Sequence, residues 1–149
     1  MVTPATIEQD GSGPDLHLRI ANRVDALGPA RLAVLGHLGD RVGSPQALYR
    51  IELVLEEALM NIVRHAFADD GAHTIDLRVS LTADEVLLQL EDDGIAFDPL
   101  PPRQAQWPAS VAEARPGGLG LMLVQRFASS LAHQRIDGRN RLTIGVARV

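Results

Sequence analysis

The stretch from Ser44 to about Phe67, SPQALYRIELVLEEALMNIVRHAF, constrains the fold more than any other part of the chain. Ser44 can cap free backbone amides, and Pro45 suits the first helical position, where no amide donor is needed. Leu48, Ile51, Leu55, Leu59 and Ile62 then recur at helical spacing and mark one apolar face. Asp69-Asp70-Gly71 ends the pattern. Two segments that read as strands follow, at about His73 to Leu81 and Val86 to Glu91, joined by Thr82-Ala83-Asp84-Glu85. The order is a long helix followed by a hairpin, and the hairpin offers the helix a sheet to lie on.

The rest of the chain extends both layers. Asp15 to Asn22 alternates Leu16, Leu18 and Ile20 with polar residues and reads as a half-buried strand. Leu27, Leu32, Leu35 and Leu38 suggest a helix from about Val24 to Val42, less regular because of Gly28-Pro29. Leu119 to Leu131 reads as a helix, His133 to Ile136 as a weak strand and Arg141 to Val149 as a final strand. Residues 1–14 read as a flexible arm and 15–149 as one domain. Between Asp92 and Gly118 lie Pro99, Pro101, Pro102, Pro108 and Pro116, with a short helix expected around Ser110 to Ala114. A proline-rich connection this long is more often a lid or binding loop than a plain linker, so a lid is placed at about 95–118.

Composition excludes several functions. The formal charge is −5, which argues against a nucleic-acid surface, and all 14 basic residues are arginine. No cysteine is present, so disulfides, thiolate nucleophiles and zinc–thiolate sites are excluded. The polar N-terminus lacks a secretion signal, and no apolar run approaches the roughly 20 residues that cross a bilayer. A cytoplasmic protein is expected, with no membrane and no direct nucleic-acid partner.

Three polar motifs interrupt this apolar frame. Glu57 and Asn61 stand four apart on the long helix and share a face, with Arg64 close to the same stripe, while Glu56 points about 100° away from Glu57. The plainer reading is that these are the solvent side of an amphipathic helix. Asp92-Asp93-Gly94 ends a strand, where a carboxylate and an open glycine backbone can sit beside a flat ligand; Asp-Gly is also a common turn pair. Arg115-Pro116-Gly117-Gly118-Leu119-Gly120 opens a helix whose free amides can bind phosphate, or serves as a hinge.

The order of these motifs resembles the GHKL ATP-binding superfamily, which includes gyrase, histidine kinases, MutL and heat-shock chaperones of the ninety-kilodalton class. EEALMNIVRHAF, DDGIAFDP, GGLGLMLV and GRNRLTI carry the resemblance, over about residues 15 to 149. Within the superfamily the sequence most resembles the small anti-sigma factor serine/threonine kinases. The resemblance implies a Bergerat fold: a two-layer α/β sandwich whose mixed, mostly antiparallel sheet carries helices on one face.

By the same resemblance, Asn61 would hold Mg²⁺ between the nucleotide phosphates and Glu57 would act as general base. Asp92 would accept a hydrogen bond from the adenine amino group and so favour ATP over GTP. Gly94 would leave room for the base, and Gly118 and Gly120 would present amides to the phosphates, with Arg64 and Arg115 as further phosphate contacts. The implied partners are a STAS-domain anti-sigma factor antagonist, which would be phosphorylated, and a sigma factor, which would be held. Relatives pair through the sheet or its first strand, so a homodimer is compatible with the resemblance. A catalytically silent ATP-binding adaptor that sequesters a protein partner stays open as the alternative.

Overall fold

A computed structural model describes residues 7–10, 15–65, 73–96 and 118–149. Its order is β1 (Ile7–Asp10), β2 (Leu16–Ala21), α1 (Leu27–Leu38), α2 (Pro45–His65), β3 (Thr74–Leu81), β4 (Glu85–Asp92), α3 (Gly118–Phe127), β5 (Ser130–Ile136) and β6 (Arg139–Ala147). Short 3-10 turns at Val24–Ala26 and Gly39–Arg41 flank α1. The six strands form one sheet in the order β1-β2-β3-β4-β6-β5. Every pairing among the described residues is antiparallel, in keeping with the mostly antiparallel sheet expected.

Alternation along the strands builds the two faces. Leu16, Leu18 and Ile20 of β2, Ile75, Leu77 and Val79 of β3, Val86, Leu88 and Leu90 of β4, and Leu142, Ile144 and Val146 of β6 are buried. They form one core with Ile51, Val54, Leu55, Ala58, Leu59 and Ile62 of α2 and with Ala30, Val34 and Leu38 of α1. The Ser44 hydroxyl accepts the Ala47 amide at 3.1 Å, so the cap expected at this helix start is made. Between β5 and β6 the chain turns through Asp137 and Gly138, both at positive φ (51° and 76°). A two-residue hairpin of this kind matches the twist of its strands, and Asp-Gly is a favoured pair for it.

Several elements differ from the sequence expectation. β5 starts at Ser130 rather than His133, and the helix expected from about Val24 to Val42 is α-helical only over Leu27–Leu38. Residues 7–10, inside the stretch read as an arm, form β1 and pair with β2 from Ile7↔Ile20 to Asp10↔His17. Four residues are too few for alternation to be read; the edge of β2 supplies the template. The last helix stops at Phe127 rather than Leu131, because Leu131 belongs to β5 and pairs with Ile144. The final strand begins at Arg139, two residues earlier than expected. The helix end near Phe67, its Asp-Asp-Gly stop, the helix at 110–114 and most of the lid lie outside the described residues.

Ile51 is fully buried in the middle of the α2–sheet interface. Ile51→Ala should therefore lower unfolding free energy by about 2–5 kcal/mol, read as a shifted denaturant midpoint with an unchanged slope. A loss below about 1 kcal/mol would mean that α2 does not seat on the sheet as described.

Candidate functional site

The backbone path brings the three polar motifs to one end of the sandwich. At that end Asp92 closes β4 and pairs with Asn140 at the start of β6, while Glu91 pairs with Asp76 near the start of β3. α2 starts from the opposite end, where the Gly43 amide donates to the Arg148 carbonyl at 2.7 Å and Arg50 Nη2 to the Val149 carbonyl at 3.0 Å. It therefore runs toward Asp92, with Glu57 and Asn61 in its leading half. α3 packs beside α2 and runs back. Its C-terminal end leads directly to Ser130, which pairs with Gly145 far from Asp92. Gly118 and Gly120, in the first turn of α3, thus lie toward the Asp92 end, and amides in a first turn have no intrahelical acceptor.

Burial separates the α2 residues. Asn61 follows Val54 by seven and Ala58 by three, so it sits on the margin of the buried stripe and is only 8 % exposed. Its carboxamide makes no hydrogen bond to the described residues, which leaves it available to a ligand at the margin of the core. Glu57 is half-buried, and Glu56 and Arg64 are exposed. A wholly solvated polar face therefore fails for Asn61 and holds for Arg64.

Asp92 is held on both sides. Its Oδ1 accepts the Gly94 amide at 2.9 Å, a side-chain turn that Asp-x-Gly favours, and Asn140 Nδ2 at 2.9 Å. Asn140 Nδ2 also donates to the Ile95 carbonyl at 2.8 Å. Asp92 Oδ2 receives no hydrogen bond among the described residues. The turn reading and the site reading of Asp92-Asp93-Gly94 are thus both satisfied, since the turn is what aims the carboxylate. Asn61, Asp92 and Asn140 are the buried polar side chains of the described core, and all three lie toward the same end of the sandwich.

Asn140 was not singled out from the sequence, although a signal existed. It is in phase with Leu142, Ile144 and Val146, so it is a polar residue on the inward face of a strand. Arg135, opposite it on β5, was missed too; its Nη1 donates to Asn140 Oδ1 at 3.1 Å and to the Gly94 carbonyl at 2.8 Å. Arg115 lies outside the described residues.

Among the described residues no group of three or more His, Asp or Glu gathers to hold a metal. A cation beside Asn61 would take one protein oxygen and fill its shell from phosphate and water, which is how Mg²⁺ is commonly bound. A cavity of about 560 Å³ lies elsewhere, on the sheet face opposite the helices, lined by His17, Arg19, Asp76, Arg78, Gln89, Glu91, Arg139 and Arg141. It is crossed by ion pairs, including Arg139–Asp76 at 2.8 Å and Arg141–Glu91 at 2.5 Å. A second cavity of about 220 Å³ lies between α1 and α2, lined by Val24, Leu27, Arg31, Leu55, Glu56 and Met60 among others. Neither is lined by Glu57, Asn61, Asp92 or Gly94.

Residues 20–146 match the model of the histidine kinase-like ATPase domain. The chain belongs to that family. It is 39 % identical over 101 residues to the serine/threonine-protein kinase BtrW of Bordetella bronchiseptica, covering 68 % of this chain and 71 % of the relative. It is 26 % identical to the serine-protein kinase RsbW of Oceanobacillus iheyensis, over 74 % of this chain and 72 % of that one. It is 25 % identical to the anti-sigma F factor of Clostridium perfringens, over 70 % and 74 %. Among solved structures, the blue-light activated histidine kinase EL346 of Erythrobacter litoralis superposes with a TM-score of 0.52 at 26 % identity. That superposition covers 82 % of this chain and 40 % of the kinase. The isolated histidine kinase domain of the same protein gives a TM-score of 0.50 at 24 % identity, with 59 % of it covered. This chain therefore shares its fold with part of that kinase.

Removing the Asn140 carboxamide takes one of two donors from a buried carboxylate. Asn140→Ala should lower stability by about 1–3 kcal/mol in denaturant titration, most of it recovered when Asp92→Ala is added. Simple addition of the two losses would contradict the pairing.

Proposed function

We propose that the protein is a Mg²⁺-dependent protein serine/threonine kinase of the anti-sigma factor type. It phosphorylates a STAS-domain antagonist and holds a sigma factor, in the cytoplasm. The observation that carries this reading is the gathering of Asn61, Asp92 and the α3 amides at one end of a fold whose relatives are named serine kinases and an anti-sigma factor. No helix among the described residues is long and apolar enough to cross a membrane.

In this reading Asp92 Oδ2 accepts the adenine amino group, and guanine, with a carbonyl there, is rejected because two acceptors meet. Gly94 keeps the approach to the base open. The free amides of Gly118 and Gly120 bind phosphate oxygens at the positive end of the α3 dipole. Arg64, exposed one turn beyond Asn61, and Arg115 add charge at the same phosphates. The Asn61 carboxamide oxygen would hold Mg²⁺, which would supply charge neutralisation at the phosphates. Glu57 takes the proton of a substrate Ser or Thr hydroxyl as its oxygen bonds to the γ-phosphorus. The bond to the β-bridging oxygen breaks and ADP leaves. Most of the catalysis is positioning and charge neutralisation, which a rigid helix and a pinned strand end supply.

Phosphate on the antagonist places charge at its docking surface and blocks release of the sigma factor. A homodimer joined through the sheet or its first strand is compatible with this switch.

The test is incubation of the protein with labelled ATP, Mg²⁺ and a STAS-domain anti-sigma factor antagonist. Phosphoprotein should form with wild type and fall by at least about a hundredfold with Glu57→Ala, as loss of a general base entails. ATP binding without phosphoprotein, unaffected by Glu57→Ala, would establish the silent adaptor instead. Asn61→Ala should abolish Mg²⁺-dependent ATP binding by calorimetry. Asp92→Asn should weaken ATP binding and erase its preference over GTP, and an unchanged preference would remove the adenine contact.

A further inference from the structure

The contacts around Asp92 close into a ring. Gly94 N donates to Asp92 Oδ1, Arg135 Nη1 donates to the Gly94 carbonyl and to Asn140 Oδ1, and Asn140 Nδ2 donates back to Asp92 Oδ1. Each of these hydrogen bonds is between 2.8 and 3.1 Å. Arg135 is on β5, two strands from Asp92, and its guanidinium is the charged group of the ring that no motif of the nucleotide site includes.

We propose that Arg135 is a positioning residue for purine selection: by fixing the Asn140 carboxamide it keeps Asp92 Oδ1 occupied and leaves Oδ2 for the base. An asparagine can present either its oxygen or its nitrogen. With Oδ1 turned to Arg135, both Nδ2 hydrogens are spent on Asp92 Oδ1 and the Ile95 carbonyl. The flipped amide would set an acceptor against a carboxylate and a carbonyl, and a donor against a guanidinium. All of these contacts would be repulsive, so the cation acts together with the carboxylate and the carbonyl to select one orientation. The same nitrogen ties down the Gly94 carbonyl, so the turn that aims Asp92 and the strand that backs it are clamped together. Without Arg135 the Asn140 amide keeps its Nδ2 contacts but loses the cation that holds its oxygen, and the Gly94 carbonyl loses its tie to β5. The Asp92 carboxylate is then held less rigidly, and Oδ2 is less strictly reserved for the adenine amino group.

Both Arg135 contacts come from Nη1, which has two hydrogens to give. A lysine ammonium has three donors on one nitrogen and can make the same pair, whereas alanine makes neither. Lysine keeps the charge as well as the donors, so the Arg135→Lys and Arg135→Ala split separates the clamp from packing of the guanidinium plane. The double variant separates it from a general electrostatic effect, which would be additive with Asn140→Ala. Arg135 is exposed, so its removal leaves the core intact.

The selectivity arm rests on the adenine reading of Asp92, and the test separates the two. ATP and GTP affinities are measured by calorimetry for wild type, Asp92→Asn, Arg135→Ala, Arg135→Lys, Asn140→Ala and the Arg135→Ala/Asn140→Ala pair. Arg135→Ala should cut the ATP-over-GTP preference about fivefold or more, Arg135→Lys should restore most of it, and the double variant should match Asn140→Ala alone. Equal loss in the lysine and alanine variants, or full additivity with Asn140→Ala, overturns the clamp. If Asp92→Asn keeps the preference, the adenine reading fails and the clamp is judged without nucleotide. NMR should then show that Arg135→Ala, but not Arg135→Lys, speeds hydrogen exchange at the Asn140 carboxamide and the Gly94 amide. Unchanged exchange in Arg135→Ala overturns it outright.

Discussion

The seating of α2 on the sheet is the constraint on which the rest of the structure depends. Its apolar stripe, from Ala47 through Ile51, Leu55 and Leu59 to Ile62, fixes the helix in rotation as well as in place. Rotation is what matters for chemistry. With Ile51 and Leu55 against the strands, Asn61 must fall on the margin of the interface, Glu57 half out of it and Arg64 in solvent. A helix turned by one residue would bury a carboxylate or expose the amide.

Cross-strand register does for Asp92 what helix rotation does for Asn61. Because side chains alternate, Asp92 shares the inward face with Val86, Leu88 and Leu90, and Asn140 meets it from the inward face of β6. Two polar residues on inward positions of adjacent strands satisfy each other and so can stay in the core. The opposite face shows the contrast. There, Asp76 and Glu91 are shared among Arg19, Arg139 and Arg141 near solvent, where ion pairs contribute little. The sandwich thus has a wet, charged face and a face whose few polar groups are individually placed.

Much of this was readable from the chain itself, for physical reasons. The periodicities of β2, β3, β4 and α2 are long enough to identify, and the Ser44-Pro45 start fixes where α2 begins. The order of the motifs assigned Glu57 and Asn61 to the long helix, Asp92 and Gly94 to a strand end and Gly118 and Gly120 to a helix start, and those are the elements that hold them. What stayed hidden depends on partners distant in sequence. β1 exists because β2 offers an edge; Leu131 fits helical spacing yet is claimed by Ile144 across the sheet. Asn140 and Arg135 acquire meaning only when register sets them beside Asp92, 48 and 43 positions away along the chain. Periodicity reports which face a residue occupies, whereas register decides which residue it meets.

The central claim is that a nucleotide sits on the helix-covered face, at the end of β4, and not in the arginine-lined cavity across the sheet. Amide chemical shifts recorded during titration with Mg²⁺ and a non-hydrolysable ATP analogue decide between these places. The account predicts that Gly94, Gly118, Gly120 and the Asn61 side-chain amide move together along one binding curve, while Arg19, Arg78 and Gln89 stay still. Shifts that gather on the Arg19, Arg78 and Gln89 face and leave Gly94 and Asn61 unmoved would contradict it.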